Sequence, residues 1–200
     1  MMAATKDRVR ILDTTVLSND WYVLKKTTFD FLRSDGVWQR QSRETYDRGN
    51  GATILLFNRD RQTVVLTRQF RLPAFVNGHD GMMIEVAAGL LDNASPEERI
   101  RAEAEEETGY RVQNVQKVFE AYMSPGSVTE KLHFFVAEYD ASARVGRGGG
   151  VEAEGEDLEV IEWTLSEALQ AVSRGDIVDA KTIMLLQFAA LNHVLDGGLS

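Results

Sequence analysis

A helix-forming segment near the middle of the chain constrains the local fold most strongly. Ser95 precedes a proline, and Glu98 follows at the third helical position, which is the pattern of a reciprocal capping box. The helix is predicted to run to Thr108 and to end at Gly109, because glycine readily adopts the left-handed conformation of a C-cap. Strand-like segments flank this helix on both sides, so the sequence indicates one central helix inserted into a β-rich chain.

The flanking segments predict a sheet covered by helices. We predict an extended region at 21–46, folded as a hairpin around Asp35-Gly36, and strands at 51–57, 63–70, 83–87, 115–122, 132–139 and 158–163. Two helices, at 166–174 and roughly at 180–195, close the chain. This order is typical of an α+β or α/β sandwich in which a mixed sheet carries helices on its faces.

Composition excludes several classes of protein. The chain has 31 acidic and 22 basic residues and a formal net charge of −9, which argues against a nucleic-acid binder, since phosphates must be neutralised by Lys and Arg. No apolar run approaches the roughly 20 residues of a membrane-spanning helix, and residues 1–10 lack the apolar core of a secretory signal. With no cysteine, the chain suits a reducing compartment. We expect a cytoplasmic protein that binds neither nucleic acid nor membrane.

The C-terminal half of the central helix carries a cluster of carboxylates. At about 100° per residue, one arc of roughly 100° holds three of them, whereas Glu105 points about 160° away: Glu103, Glu106 and Glu107. A solvated acidic face is one interpretation. The other is a site for a hard divalent cation, because Mg²⁺ and Mn²⁺ prefer carboxylate oxygens.

A glycine-rich, acidic segment spans residues 144–157. Its composition favours a mobile surface loop. Long loops in compact domains are nevertheless uncommon unless they are functional, so Glu152, Glu154 and Glu156 are kept as candidate site residues.

The segment from Gly89 to Tyr110 resembles the Nudix box, the strand–loop–helix–loop motif of the Nudix hydrolases. The positions that match the motif residue by residue are Glu103, Glu106, Glu107, Gly109 and Tyr110.

The segment departs from the box at two positions. Ala102 stands where the box has an arginine, and a loop one residue short leaves Ser95 where a glutamate is usual. We expect Arg99 or Arg101, paired with Glu97 or Glu98, to replace the missing arginine–glutamate pair.

The similarity extends over roughly residues 17–195. The segments that carry it are YDRGNGATILLF, RQFR, AAGLLDN, EAYMSPGSVTEKLHFFVAEY, GGGVEAEGEDLEV and DAKTIMLL. Together they resemble the GDP-mannose pyrophosphatase branch of the ADP-ribose-pyrophosphatase-like Nudix enzymes. The resemblance implies a Nudix α/β/α sandwich with an N-terminal β extension, divided into residues 1–48 and 49–200. It also implies a homodimer in which the extension crosses to the partner subunit.

The resemblance further implies a set of site residues. The metal ligands would be the Ala88 carbonyl, Glu103, Glu106 through water, Glu107 and Glu156. The catalytic residues would be Glu106, Glu107 and Glu156. Phosphates would be held by Arg71 and Lys181, for which a surface ion pair and a helix-surface lysine are the alternative interpretations. Further substrate contacts would come from Ala88, Gly89, Leu90, Glu107, Glu130, Gly155 and Glu156, and from the partner's extension through Trp21, Ser42, Arg43 and Glu44.

The resemblance implies hydrolysis of a nucleotide sugar at its pyrophosphate bond. The expected reaction converts GDP-mannose and water to GMP and mannose 1-phosphate, with Mg²⁺, or Mn²⁺ as an alternative, as cofactor. Glu156 is expected to act either as the general base or as the last metal ligand. One alternative is an ADP-ribose pyrophosphatase. Another is a non-catalytic Nudix-like domain that senses a nucleotide sugar.

Overall fold

The computed structural model describes residues 5–151, 153 and 155–198, which form two compact units. The first unit contains the described residues up to Asn50 together with Tyr122–Lys131, and the rest belongs to the second. The sequence-based division after residue 48 puts 122–131 in the second part. Backbone hydrogen bonds instead attach this segment to the first unit, from Tyr46 N to Ser127 O (2.8 Å) and from Thr129 N to Tyr46 O (3.1 Å).

The first unit is built on an antiparallel sheet. In its described residues the strands are β1 (Val9–Asn19), β2 (Val23–Leu32) and β3 (Trp38–Asp47), in the order β1-β2-β3. The predicted hairpin around Asp35-Gly36 is confirmed, with Gly36 at a φ of 82°. Strand β1 was not predicted, because nearly all of its residues are exposed and no alternation of apolar and polar residues marks it.

The second unit contains a mixed sheet. Its described strands are β4 (Gly51–Asn58), β5 (Thr63–Phe70), β6 (Met82–Glu85), β7 (Ala87–Leu90), β8 (Gln116–Tyr122), β9 (Lys131–Glu138) and β10 (Glu159–Thr164). Five of them follow the order β10-β5-β4-β9-β8, while β6 pairs with β5 and β7 with β4. Strands β4 and β9 are parallel, whereas β4–β5, β4–β7, β5–β6 and β5–β10 are antiparallel. The single strand predicted at 83–87 is thus divided into two at Val86.

The helices of the described chain are α1 (Leu72–Val76), α2 (Pro96–Thr108), α3 (Leu165–Arg174) and α4 (Ala180–Leu191). Helix α1 was not predicted, since it is only one turn long and has no buried residue. Helix α4 ends before residue 195 because His193 adopts a positive φ of 49°. No helix in the described part of the chain is long and apolar enough to cross a bilayer.

Helix α2 has the predicted ends. The Ser95 hydroxyl accepts a hydrogen bond from the Glu98 amide (3.3 Å), and the Glu98 carboxylate accepts one from the Ser95 amide (3.2 Å). Gly109 closes the helix in the left-handed conformation with a φ of 77°. These caps satisfy backbone groups that a helix terminus leaves unpaired, so both boundaries are fixed locally.

Both faces of the central strand β4 are covered. On one face Ile54 and Leu56 join a core cluster with Ile100 and Ala104 of α2. The intervening Leu55 is equally buried, and α4 also contacts β4. Because side chains alternate across a strand, helices cover the two faces of the sheet and the predicted sandwich is confirmed.

Candidate active site

The C-terminal half of α2 buries two of its carboxylates. The exposed fractions of Glu103 and Glu107 are 4% and 2%, whereas Glu106 is exposed. Glu105 lies apart from them and forms an ion pair with Arg111 at 3.0 Å. The helix therefore presents the acidic face that its sequence predicts, and most of that face is withdrawn from solvent.

Glu107 is the least satisfied of these carboxylates. Its Oε2 is buried and has no hydrogen-bond partner among the residues that the structure describes. Burial raises the pKa of Glu107 well above its ordinary value, and the negative charges of Glu103, Glu156 and Glu85 raise it further, while Arg71 lowers it. A buried acid with a vacant acceptor among like charges is unfavourable unless a cation compensates it.

Arg99 replaces the missing box arginine. Its guanidinium lies 2.5 Å from Glu103 Oε1 and also donates from Nε to the Leu90 carbonyl at 3.1 Å. The pair between Arg101 and Glu97 was among the predicted replacements and is confirmed at 2.7 Å. Arg99 pairs with Glu103 rather than with Glu97 or Glu98, because i,i+4 residues share one helix face.

Strand β7 approaches α2 very closely at Gly89. A Cβ atom at this position would lie 1.8 Å from Glu103 Oε1, so any larger residue would displace that side chain. Ala88 and Leu90 flank it on the same strand, where Ala88 pairs with Thr53 of β4. The predicted ligand carbonyl of Ala88 thus belongs to the residue next to the one that contacts Glu103.

The glycine-rich loop is fixed to the C-terminal end of α2. Gly149 N donates to Glu107 O (2.8 Å), and Gly150 N donates to Glu106 O (3.2 Å). A Cβ on Gly148, whose φ is 69°, would lie 2.5 Å from Glu107 O. Gly149 and Gly150 are therefore attached to the helix, because their amides cap two of its carbonyls, while the mobility of the loop stays a prediction.

The same loop carries Glu156 towards the cluster. The half-buried Glu156 accepts a hydrogen bond from the Val151 amide at 2.8 Å, and its charge contributes to the raised pKa of Glu107. Gly155 is exposed beside it, with a φ of 78°. The other two loop candidates, Glu152 and Glu154, lie outside the described residues.

The donor set fits a divalent cation. Carboxylate oxygens are hard ligands, and one of them, on Glu107, is buried without a partner. Within the described residues no three acidic or histidine side chains are yet gathered in a metal-holding arrangement. Glu103 is engaged by Arg99 and Glu156 by Val151, so gathering them around an ion requires these contacts to rearrange.

The two predicted phosphate-binding cations meet on one buried acid, Glu85. Arg71 bonds its Oε2 through Nε (2.9 Å) and Nη2 (2.8 Å), and Lys181 bonds its Oε1 at 2.9 Å. Lys181 also bonds Asp179 at 2.9 Å and is only 9% exposed, so the alternative of a helix-surface lysine is wrong. Opposed charges from Glu85 raise the pKa of both Arg71 and Lys181, against the lowering effect of their burial.

Sequence reasoning missed Glu85. A signal was present, since this acid is the single charged residue within the apolar stretch MMIEVAAGL, and a buried acid needs partners. Its neighbour Val86 donates its amide to the Thr182 hydroxyl (2.9 Å), so the start of α4 is tied to this part of the sheet.

The remaining predicted site residues belong to the first unit. Trp21 is 81% exposed between β1 and β2, and Glu130 lies 3.4 Å from Arg48. Three others lie on β3 opposite residues 26–28 of β2: Ser42, Arg43 and Glu44. Their contribution to substrate binding stays a prediction.

Comparison with known proteins places this geometry in a family. The NUDIX domain model matches residues 47–186, and the model of the GDP-mannose pyrophosphatase NudK N-terminal domain matches residues 8–46. This chain belongs to the Nudix family. In Nudix terms, α2 is the helix of the box, and Glu103, Glu106 and Glu107 are its glutamates. The chain is accordingly a Nudix pyrophosphatase, and Nudix hydrolases generally need a divalent metal ion.

Curated relatives cover almost the whole Nudix chain. A GDP-mannose pyrophosphatase of Pectobacterium atrosepticum is 58% identical over 92% of this chain and 94% of its own length. Proteins of the same name from Yersinia enterocolitica and Escherichia coli are 54% and 51% identical, each over 94% of this chain and 98% of their own. A crystal structure of an ADP compounds hydrolase has a TM-score of 0.72 at 18% identity over 95% of both chains, which shows the shared fold.

Proposed function

We propose that this Nudix pyrophosphatase hydrolyses GDP-mannose to GMP and mannose 1-phosphate. The relatives named GDP-mannose pyrophosphatase, 51–58% identical over nearly the full chain, support this substrate. The observation that carries the proposal is the buried Glu107 carboxylate, which has an unpartnered oxygen and like charges around it. Such a group destabilises the fold, which brings no benefit to a protein that only binds a nucleotide sugar. It is suited to holding a cation.

The cation we propose is Mg²⁺, with Mn²⁺ as an alternative. Its ligands would be the Ala88 carbonyl, Glu103, Glu107 and Glu156, with Glu106 acting through water. The close approach of Gly89 to Glu103 and the attachment of the glycine loop to α2 support this set, since they hold the two flanking segments against the helix.

Different groups in the site would neutralise charge, accept a proton and bind phosphate. Bound Mg²⁺ would neutralise charge on the pyrophosphate and lower the pKa of the attacking water. Glu156 would act either as the base that accepts the proton of that water or as the last metal ligand, and its charge acts on the buried Glu107. Arg71 would grip a phosphate with the N–H groups that Glu85 leaves free, and Lys181 would add positive charge beside it.

Recognition of the nucleoside and sugar would use the remaining predicted substrate-binding residues. Phosphate and metal contacts would come from the second unit, including Ala88, Gly89, Leu90 and Gly155. Glu130 would contact the substrate from residues 122–131. The remaining contacts would come from the partner subunit's extension, through its equivalents of Trp21, Ser42, Arg43 and Glu44.

This assignment requires a homodimer with exchanged extensions. Support comes from β1, on which Ile11, Leu12, Val16 and Leu17 have exposed fractions between 46% and 62%. A strand with so much exposed apolar surface favours burial against a second copy. Light scattering at micromolar concentration should report a dimer, and a fully active monomer would contradict the exchange. The location in the cytoplasm remains a prediction from composition.

A hydrolysis screen tests the substrate. Purified protein is incubated with Mg²⁺ and with GDP-mannose, ADP-ribose and related nucleotide sugars, and the products are identified. We expect GDP-mannose to be among the best substrates and to yield GMP and mannose 1-phosphate. A preference for ADP-ribose would contradict GDP-mannose as the substrate and favour an ADP-ribose pyrophosphatase. Tight binding of a nucleotide sugar without cleavage would favour a non-catalytic sensor.

A further inference from the structure

Glu85 is a buried acid near the site with donors at both of its carboxylate oxygens. Its Oε2 accepts hydrogen bonds from Gln69 Nε2 (3.1 Å) and Arg71 Nε (2.9 Å) and lies 2.8 Å from Arg71 Nη2, and its Oε1 accepts a hydrogen bond from Lys181 (2.9 Å). Glu85 and Glu107 are thus two buried carboxylates with opposite surroundings, because Glu85 is held by cations at both oxygens and Glu107 has one oxygen without a partner among the described residues.

The hydrogen bonds to Glu85 leave one face of Arg71 available. Of the five N–H groups of its guanidinium, the one on Nε donates to Glu85, and Nη2 lies 2.8 Å from the same oxygen, which leaves N–H groups on the outer edge for a ligand. The Arg71 side chain is 42% exposed, although the Glu85 carboxylate that holds it is only 5% exposed. The guanidinium is therefore anchored on its inner edge and open on its outer edge.

Glu85 is itself held from the opposite side. Lys181 bridges it to Asp179, which caps α4 by accepting hydrogen bonds from the amide and hydroxyl of Thr182 (2.9 and 2.6 Å). Asp179, Lys181, Glu85 and Arg71 form a continuous chain of alternating charges. Because each charge in this chain has a buried neighbour of opposite sign, the position of Arg71 depends on residues that are far from it in sequence.

We propose that Glu85 is a positioning residue that fixes the outer N–H groups of Arg71 for the substrate phosphate. The proposal rests on the proposed phosphate-binding role of Arg71. Glu85 does not touch the substrate and acts through the guanidinium, whose N–H groups are directional, whereas Lys181, which Glu85 also holds, supplies only a point charge. Bidentate recognition of phosphate depends on the orientation of the guanidinium plane, so a shift of the carboxylate is transmitted to binding.

The first test uses Glu85→Asp, which keeps the charge and withdraws the carboxylate by one methylene. We expect KM for GDP-mannose to rise about tenfold, in the range seen when partners that orient a site residue are removed, with kcat within about twofold. A variant that only folds less well would lower kcat with its folded fraction and leave KM unchanged. Glu162→Asp is the matched control, since Glu162 lies on β10 and pairs with Arg61 at 2.9 Å, and its KM should match that of the wild type.

A double-mutant cycle separates positioning from an independent effect. In an Arg71→Ala background, Glu85→Asp should change KM by less than about twofold, because the residue through which it acts is absent. An equal increase of KM in both backgrounds would overturn the positioning role. If Arg71→Ala alone leaves KM unchanged, the assignment of Arg71 to the phosphate fails instead, and the positioning role of Glu85 falls with it. If Glu85→Asp does not fold, Gln69→Leu, which removes the neutral donor to Glu85 Oε2, should raise KM when Arg71 is present and leave KM unchanged in the Arg71→Ala background.

Discussion

The substitution Glu107→Gln tests the metal site through stability as well as rate. It keeps the volume of a side chain that is 2% exposed, but removes its charge and one strong ligand. The raised pKa of Glu107 means that its charged form is disfavoured in the folded protein, so the metal-free fold is destabilised as the pH rises through that pKa. In mildly alkaline buffer without metal, the variant should therefore melt no lower than the wild type.

Metal binding should make the wild type more stable than the Glu107→Gln variant. At 100 times its Kd, a ligand stabilises the folded state by about 2.7 kcal/mol. For a chain of this size that corresponds to an increase in Tm of about 5–11 °C. The wild type should show an increase of this order on addition of Mg²⁺, and the Glu107→Gln protein a much smaller one. Its activity should fall by at least about 100-fold, since even residues that only support a metal ligand are worth 10–100-fold.

Thermal melts with and without Mg²⁺, together with activity assays, provide the measurement. Glu105→Gln is the matched control, because it lies on the same helix and pairs with Arg111 away from the buried carboxylates. It should keep its activity and the full Mg²⁺-dependent increase in Tm. An active Glu107→Gln enzyme with the same metal-dependent increase as the wild type would refute the metal site on α2.

Three further substitutions test the surroundings of the site. Gly148→Ala should lower Tm and activity, because its Cβ would clash with the Glu107 carbonyl. The control is Gly175→Ala, which has a similar φ and open space around it and should lose only about 1–2 kcal/mol of stability, the cost of an alanine in the left-handed conformation. Equal losses of activity in the two variants would argue against the loop attachment. Arg99→Met should lower the free energy of unfolding by about 3 kcal/mol in chemical denaturation, because it removes the cation of a buried ion pair with Glu103. An unchanged free energy of unfolding would show that Arg99 does not replace the box arginine. Burial raises the pKa of Tyr139 from its ordinary value to about 12. Stability that is present below about pH 10 is therefore lost as the pH rises towards 12, and Tyr139→Phe should reduce that loss.

Local signals in the sequence predicted α2 and the strands around it. The capping box at Ser95 and the glycine at 109 define helix ends through contacts within a few residues, and those contacts are present. Strands β4 and β5 were predicted because their apolar residues are nearly continuous, and the structure buries most of them, with Phe70 at the end of β5 exposed. Strand β1 carries neither signal, since its apolar residues are exposed and its partners are supplied by β2.

The carboxylate face of α2 could be predicted because its residues are adjacent, whereas the charge chain at Glu85 could not. Glu85 forms ion pairs with Arg71, which is 14 residues away in the sequence, and with Lys181, which is 96 residues away. No local pattern reports which distant cation will neutralise a buried acid, because that choice depends on how β5, β6 and α4 pack. The contact of Arg99 with Glu103 lies between these cases, because the i,i+4 spacing was visible but the competing acids Glu97 and Glu98 are closer to Arg99 in the sequence.

The tie between β6 and α4 has a consequence for the order in which the chain matures during synthesis. Glu85 and the Val86 amide emerge from the ribosome some 96 residues before Lys181 and Thr182, their partners. Until α4 exists, burying that strand would leave an acid and an N–H group without these partners, and the strand is more stable hydrated. A nascent chain stalled before Asp179 should remain susceptible to protease around β6 and β7, so closure of the second unit waits for its last helix.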